Sequence, residues 1–506
     1  NYVLLGIAFL ILFIAGINFT NLTTSLIPLR LKTINTHRVL GCSIYKLRAI
    51  SLIESIVICL ISYILALFIV NDLSYTPIAN WVDADIRLSQ YKGLILLTAL
   101  IAILTGCLAG LYPAIRSTSY APALVLKGSF GLSPKGKKVR VALIGFQYTV
   151  SIALIIVTLF MGLQNHFMTS SEQLGFNKDQ VAIVNLTPEI YAKHKPQYIQ
   201  KLKDYPGIED VAFSVYELSK EDDMIDLEYA RHEDKDVFFK VFYASENFLS
   251  VMDIQVEEGR DFTREDLNKA QSDYIINPAA ERDFHLHPGD RFNDRTVLGV
   301  SKDFRFNSCR IASSPFVFAL NNDIPNPKLV SYIRFNSKTN LQEAVAHVRE
   351  TLKEIDPTFP FEISFYNTIL NNLYQKEQTL GKLISLFGIM AILISIVGVF
   401  GLVLFETQYR RKEIGIRKIN GATTGQILLM FNKTYIRIVS VCFIISIPIA
   451  WMGTQQWLEN FAYKTPLHLW VFIVAFLIIL SVTIGTVTFR NWQAANENPV
   501  NSVKSE

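Results

Sequence analysis

Few groups in this sequence have both the type and the spacing to do chemistry. Gly131–Lys138, GLSPKGKK, has the G-x-x-x-x-G-K spacing of a phosphate-binding loop, but it puts Lys138 where Ser or Thr must hold Mg²⁺. It also lacks the preceding strand and following soluble helix that such a loop requires, so a nucleotide site here is rejected. His285 and His287 can set two imidazoles on one side of a strand, yet Pro288-Gly289 reads as a solvated turn and the spacing fixes no third metal ligand. No H-E-x-x-H and no G-x-S-x-G occurs, which leaves hydrolase chemistry without support. Glu54 is the one charged residue inside a long apolar stretch, where a proton relay is the functional alternative to a carboxylate that simply reaches the interface. The chain is therefore read as a non-enzyme, with no catalytic residue, metal or cofactor of its own.

The elements that would position any site are dominated by apolar blocks. Of 506 residues, 50% are hydrophobic and only 18% charged, and the net charge is +4. A soluble domain carries nearer 25% charge, and no basic field for a nucleic-acid backbone exists. Five cysteines cannot build a disulfide scaffold. Seven stretches, about 2–27, 50–70, 93–115, 141–163, 383–405, 438–458 and 467–489, match the ~20 apolar residues that cross a bilayer. The segments 28–49, 116–140, 407–437 and 490–506 hold 20 of the 48 Lys/Arg but three of the 44 Asp/Glu. Basic short loops stay in the cytoplasm, which puts the C-terminus inside and residues 164–382 outside. That outside segment holds short strand patterns at Val181–Leu186, Val237–Tyr243 and Thr296–Val300 and a helical pattern at Leu341–Ile355, a mixed α/β reading. Leu370, Leu373, Leu380 and Leu383 recur at helical spacing, so helical stalks are expected to leave the membrane unbroken.

The chain also repeats itself. Lys32–Ser43 (KTINTHRVLGCS) aligns without a gap to Lys412–Thr423 (KEIGIRKINGAT), and each follows one apolar span and precedes two more. Matching ends follow the third spans, at Ala121–Lys127 and Asn498–Lys504. The expected organisation is a first three-span unit (1–128), a linker with the fourth span (129–163), an outside α/β domain with helical stalks (164–382) and a second three-span unit (383–506). The symmetry, together with Asn1 at the start, leads us to expect a further upstream span and outside domain.

KEIGIRKINGATTGQI (Lys412–Ile427), Gly41 and Gly421, and the Pro-x-x-x-(Leu/Val)-Lys ends resemble the FtsX-like or MacB-like permeases of ABC transporters. Asn247–Leu249, Glu258–Phe262, Ile275–Asn277, Val297–Val300 and Lys302–Phe304 resemble the same family's extracytoplasmic core domain. The resemblance implies a polytopic α-helical membrane protein of the bacterial cytoplasmic membrane. ATP and Mg²⁺ would sit on a separate cytoplasmic ABC ATPase, two copies for two units, and a periplasmic or outer-membrane partner is a further expectation. It also implies a coupling loop seated on the ATPase. The residues expected there are Lys412, Glu413, Gly415, Arg417, Lys418, Gly421, Ala422, Ile427 and Phe431, with Lys32, Arg38 and Gly41 in the first repeat.

In the second loop, Thr423-Thr424 supplies N-cap hydroxyls for a short surface helix, 425–431, whose apolar face is Ile427, Leu428 and Phe431. Such a helix fits a cleft on a soluble partner; its basic neighbours equally suit anionic lipid. The resemblance implies mechanotransmission for peptide, lipoprotein or hydrophobic cargo. The alternative is a signalling regulator that drives an outside enzyme such as a cell-wall hydrolase. The first loop lacks the Glu413 and Gly415 pair.

Overall fold

The computed structural model describes residues 2–76, 79, 87–119, 134–170, 174–219, 226–269, 271–305, 308–320 and 329–496. Ala121–Lys127, Asn498–Lys504 and the start of the phosphate-loop-like stretch lie outside these. The chain divides into two compact units, one of residues 1–162, 379–457 and 466–506, the other of Leu163–Gln378 with Leu458–Thr465.

Among the described residues, seven helices, each lying mostly in the first unit, are long and apolar enough to span a membrane: Val3–Ser25, Ile44–Leu73, Lys92–Ser117, Val141–Thr169, Gln375–Gly401, Thr424–Leu458 and Leu469–Gln493. Helix is the form such sequences must take in lipid, because it pairs every backbone N–H and C=O within the segment. The fourth span is the hub. Of its most apolar stretch, 61% is buried, against at most 33% for the others. Around it, Phe146 meets Phe13 of the first span edge-on at 5.9 Å. The Ser151 and Ser395 hydroxyls lie 2.9 Å apart, Thr483 donates to the Tyr148 hydroxyl at 3.0 Å, and Phe160 packs on Phe472 at 5.7 Å. Gln147 is buried with neither amide atom hydrogen-bonded among the described residues.

Small residues let spans approach closely. Gly106 and Gly110 of the third span face Ser55 and Ile56 of the second, where a Cβ at Gly110 would lie 2.5 Å from the Ser55 Oγ. The first spans of the two repeats meet as well. Asn18 Nδ2 donates to the Ile394 carbonyl at 2.7 Å, and a Cβ at Gly398 would lie 2.4 Å from the Asn18 Oδ1. Glu54 pairs with Arg30 at 2.8 Å, both about half exposed.

In the second unit, β1 (Val181–Leu186), β2 (Ile208–Ser214), β3 (Asp226–His232), β4 (Lys235–Ala244), β5 (Val256–Gly259), β6 (Tyr274–Ile276), β7 (Arg291–Phe292), β8 (Arg295–Ser301), β9 (Phe316–Leu320), β10 (Leu329–Phe335) and β11 (Ile363–Phe365) form one sheet. The order is β11-β1-β10-β2-β4-β9-β6-β8-β5, with β3 on β4 and β7 on β8. Side chains alternate across it. Ala182, Val184 and Leu186 join a core with Tyr198, Leu202, Val348 and Leu352 from helices Lys195–Lys203 and Leu341–Ile355. Val181 and Ile183 join another with Phe248, Met252, Tyr366 and Leu370. A sheet covered on both faces explains why its strands read as nearly continuous apolar runs.

The stalk reading needs one correction. Helix Pro134–Thr169 is continuous, but the second stalk breaks at Tyr374 (φ −108°, ψ 14°), between helices Tyr366–Leu373 and Gln375–Tyr409. At the break the buried Tyr374 hydroxyl accepts from the Cys309 amide at 3.1 Å and donates to the Cys309 Sγ at 3.3 Å.

Candidate functional site

Each repeat places the same backbone device after its first span. Helix Ile27–Val39 ends at Gly41, whose φ is +90°; helix Arg411–Ile419 ends at Gly421, whose φ is +86°. The hydrogen bonds correspond one by one. Cys42 N donates to His37 O at 2.9 Å and Gly41 N to Arg38 O at 3.1 Å. In the second repeat Ala422 N donates to Arg417 O at 2.9 Å and Gly421 N to Lys418 O at 3.0 Å. This is a glycine-terminated helix end, in which the left-handed residue satisfies the last carbonyls.

A hydroxyl then starts the next helix. Ser43 Oγ accepts from Lys46 N at 3.4 Å. Thr423 Oγ1 accepts from Gln426 N at 3.3 Å while Gln426 Oε1 accepts from Thr423 N at 3.1 Å, a reciprocal cap. The result in each repeat is a rigid elbow between a short helix and a long span.

The elbows are braced differently. In the first, Arg38 donates to the Thr118 carbonyl at 3.3 Å and Arg48 Nε to the Thr118 hydroxyl at 2.9 Å, so both hold the end of the third span. In the second, Arg410 pairs with Glu406 at 3.1 Å and lies 3.9 Å from Glu413, and Arg417 pairs with Glu413 at 2.8 Å. Glu413 is thereby an internal brace; Gly415 is buried, Lys418 half-buried and Arg417 exposed. The side chains of Lys32 and Lys412 lie outside the described ones.

Two expected residues face the wrong way for a partner. No separate surface helix spans 425–431, because nothing after Phe431 breaks the helix, which runs from Thr424 to Leu458. On it Ile427 and Phe431 are turned inward and buried, with Arg410 stacked on the Phe431 ring. The apolar side chains that the elbows leave exposed include Val39, Leu40, Ile44 and Tyr45 in the first, and Ile416, Ile419 and Leu429 in the second. Helical periodicity marks an apolar face without saying whether it meets the bundle or solvent. Only the positions flanking the two glycines could have pointed to these residues.

Within the second unit a clasp gathers the loop Leu458–Thr465, which joins the sixth and seventh spans, onto Arg305 and residues 309–313. The Arg305 guanidinium stacks on Tyr463 (4.1 Å) and Phe167 (5.2 Å), and Arg310 stacks on Phe461 (4.9 Å) while binding Glu377 at 2.8 Å. Tyr463 N donates to Cys309 O at 3.1 Å, and the Tyr463 hydroxyl accepts from Ser313 N at 3.1 Å. Gln164 closes the loop from the stalk, donating to Tyr463 O at 3.0 Å and accepting from Thr465 N at 2.8 Å. Burial pushes the Cys309 thiol up, so it stays protonated.

Residues 5–122 and 385–499 match the family model described as the FtsX-like permease C-terminal domain. The macrolide export ATP-binding/permease protein MacB of Aggregatibacter actinomycetemcomitans is 25% identical over 212 residues, 39% of this chain and 32% of that protein. The protein of the same name from Neisseria gonorrhoeae is 25% identical over 223 residues, 41% of this chain and 34% of that protein. The chain thus spans about a third of the length of the curated relatives it matches. Among solved structures, the periplasmic region of MacB from Actinobacillus actinomycetemcomitans shares 15% identity at a TM-score of 0.29, covering 39% of this chain and 94% of that one.

Proposed function

Because this chain is an FtsX-like permease carrying the family's membrane module twice, we propose that it is the membrane subunit of a bacterial ABC system, with its ATPase on separate polypeptides. The observation that carries this reading is the duplicated elbow, with the same glycine turn, carbonyl bonds and hydroxyl cap at Gly41 and Gly421. Each elbow presents exposed apolar side chains beside a basic helix, which suits a cleft on one ATPase. Two elbows in one chain take two ATPases.

ATP binding draws the two ATPases, and with them the elbows, together. The spans carry that movement to the α/β unit on the outer side, of which the loop Leu458–Thr465 is itself a part. Cargo is handled from that side or from the lipid, in keeping with peptide, lipoprotein or hydrophobic substrates. The crevice among Tyr148, Ser395, Val399, Ile479, Thr483 and Thr486 has no room for a water molecule, which favours transmission of motion over flow through the bundle there. MacB relatives are named ATP-binding/permease proteins; for this chain we assign the ATPase to a separate polypeptide.

The test is ATP hydrolysis by the ATPase that co-purifies with the full-length chain in lipid vesicles. Gly421→Pro, which removes both the left-handed φ and the amide bonded to Lys418, should abolish cargo-stimulated hydrolysis while the α/β unit stays folded. Unchanged stimulation would contradict the reading.

A further inference from the structure

Three metal-ligating side chains from three different elements converge at one edge of the α/β sheet. Glu258 comes from β5, Glu281 from helix Pro278–Phe284 and His287 from the turn after that helix. One ligand atom of each lies within 4.8 Å of the others, and His287 Nδ1 is 3.5 Å from Glu281 Oε1. The backbone beneath them is fixed. Asn277 caps the helix by accepting from Ala280 N at 2.9 Å, and Leu286 is buried and donates its amide to Glu281 O at 3.2 Å. His287 N donates to Asp290 Oδ2 at 2.7 Å, Asp290 N returns a bond to His287 O at 3.0 Å, and Gly289 N is tied to Val297 O on β8 at 2.8 Å. Glu258 sits in register with Val300 of the same strand, β8. Two carboxylates meet here, and among the described residues neither has a Lys or Arg ion-pair partner.

We propose that Glu258, Glu281 and His287 form a binding site for a divalent first-row transition ion of the zinc type. One imidazole and two carboxylates suit zinc, cobalt or nickel, whereas calcium and magnesium take all-oxygen shells and gain nothing from His287. Ligand bonds of about 2.0–2.2 Å are reached by side-chain rotation alone, since Glu258 and His287 are exposed. Water completes the shell. The bound ion ties β5, the helix and the turn together, so the stability of this edge of the unit follows the metal content of its compartment. Sequence spacing alone could not find the site, because Glu258 reaches it only through the pairing of β5 with β8.

The experiment is calorimetric titration of zinc chloride into the metal-stripped, tag-free full-length chain in detergent, alongside its melting temperature. The expected result is one zinc ion per chain and a raised melting temperature. His287→Ala and Glu258→Gln should each weaken binding at least tenfold without altering the metal-free melting temperature, and His285→Asn, which keeps the left-handed backbone of its position, should bind as the parent does. Magnesium and calcium should produce no effect. No zinc binding, or binding that survives both His287→Ala and Glu258→Gln, overturns the proposal.

Discussion

Asn18 and Gly398 hold the same place in the two membrane modules and touch each other. Each lies 23 residues before the elbow glycine of its own module, Gly41 or Gly421, and the Asn18 amide fills the space that a side chain at Gly398 would take. The modules thus pack as an internal pair, first span to first span, with Leu22 against Gly401 one turn further along. The two stretches that match the FtsX-like permease model, 5–122 and 385–499, thus meet within one chain.

That contact is testable by a double-mutant cycle. Gly398→Ala should push the Asn18 amide off the Ile394 carbonyl and cost about 1–3 kcal/mol by overpacking. Asn18→Ala vacates the same space, so the double variant should lose less than the sum of the two single changes. Unfolding in detergent read by tryptophan fluorescence measures both. Strict additivity would separate the two residues.

The elbows should tolerate residues according to backbone conformation rather than size. Nothing lies within 4 Å of a Cβ at Gly41 or Gly421, so the penalty comes from φ alone, about 1–2 kcal/mol for an ordinary L-residue. Gly421→Asn should keep most ATPase coupling and Gly421→Val should lose it, because Asn accepts the left-handed region and a β-branched residue does not. ATPase stimulation in vesicles ranks the three.

Exposed apolar tips should matter to assembly, and the buried positions to folding. Ile416→Asp with Ile419→Asp should leave the melting temperature within a few degrees and reduce ATPase recovery to about half, because the first elbow is untouched. Ile427→Ala should instead lower stability by about 2–5 kcal/mol, as loss of a buried side chain does. Co-purification yield and thermal unfolding separate the two effects.

The clasp offers its own reporter in Cys309, which is buried and protonated. In a chain with Cys42, Cys59, Cys107 and Cys442 replaced by Ser, maleimide should label Cys309 slowly at rest. Tyr463→Ala removes the ring over Arg305 and the acceptor for Ser313 N, and labelling should accelerate at least tenfold. An unchanged rate would show that the loop does not cover this site.

Acid should unfold the α/β unit partly through Asp266. Bonds from Arg260, Lys269 and Thr263 outweigh burial and hold its carboxyl well below the usual carboxylate range. A depressed carboxyl stabilises the fold above its unfolded value, near ~3.9, and that contribution is lost as pH falls below it toward the folded value. The stability gap between the parent and Asp266→Asn should therefore be full at pH 7 and shrink below about pH 4.

Much of this was legible in the residues. Strand Val181–Leu186 and helix Leu341–Ile355 have the bounds their patterns suggest, because a buried apolar run and an amphipathic period are local signals. Gly421 reads as a corner for the same reason, with a basic helix before it and a hydroxyl cap after it. The inward turn of Ile427 and Phe431 depends on which neighbour covers the helix, and the residue at the second stalk's break, Tyr374, bonds to Cys309, 65 residues away. Carrying the repeat alignment back from Lys32 would have paired Asn18 with Gly398, although only packing shows that they meet.

The most direct measurement is the native mass of the complex released gently from membranes. The account predicts one permease chain with two ATPase chains, and loss of one ATPase in the Ile416→Asp, Ile419→Asp variant. Two permease chains to two ATPases, or a folded permease chain that never carries an ATPase, would contradict it.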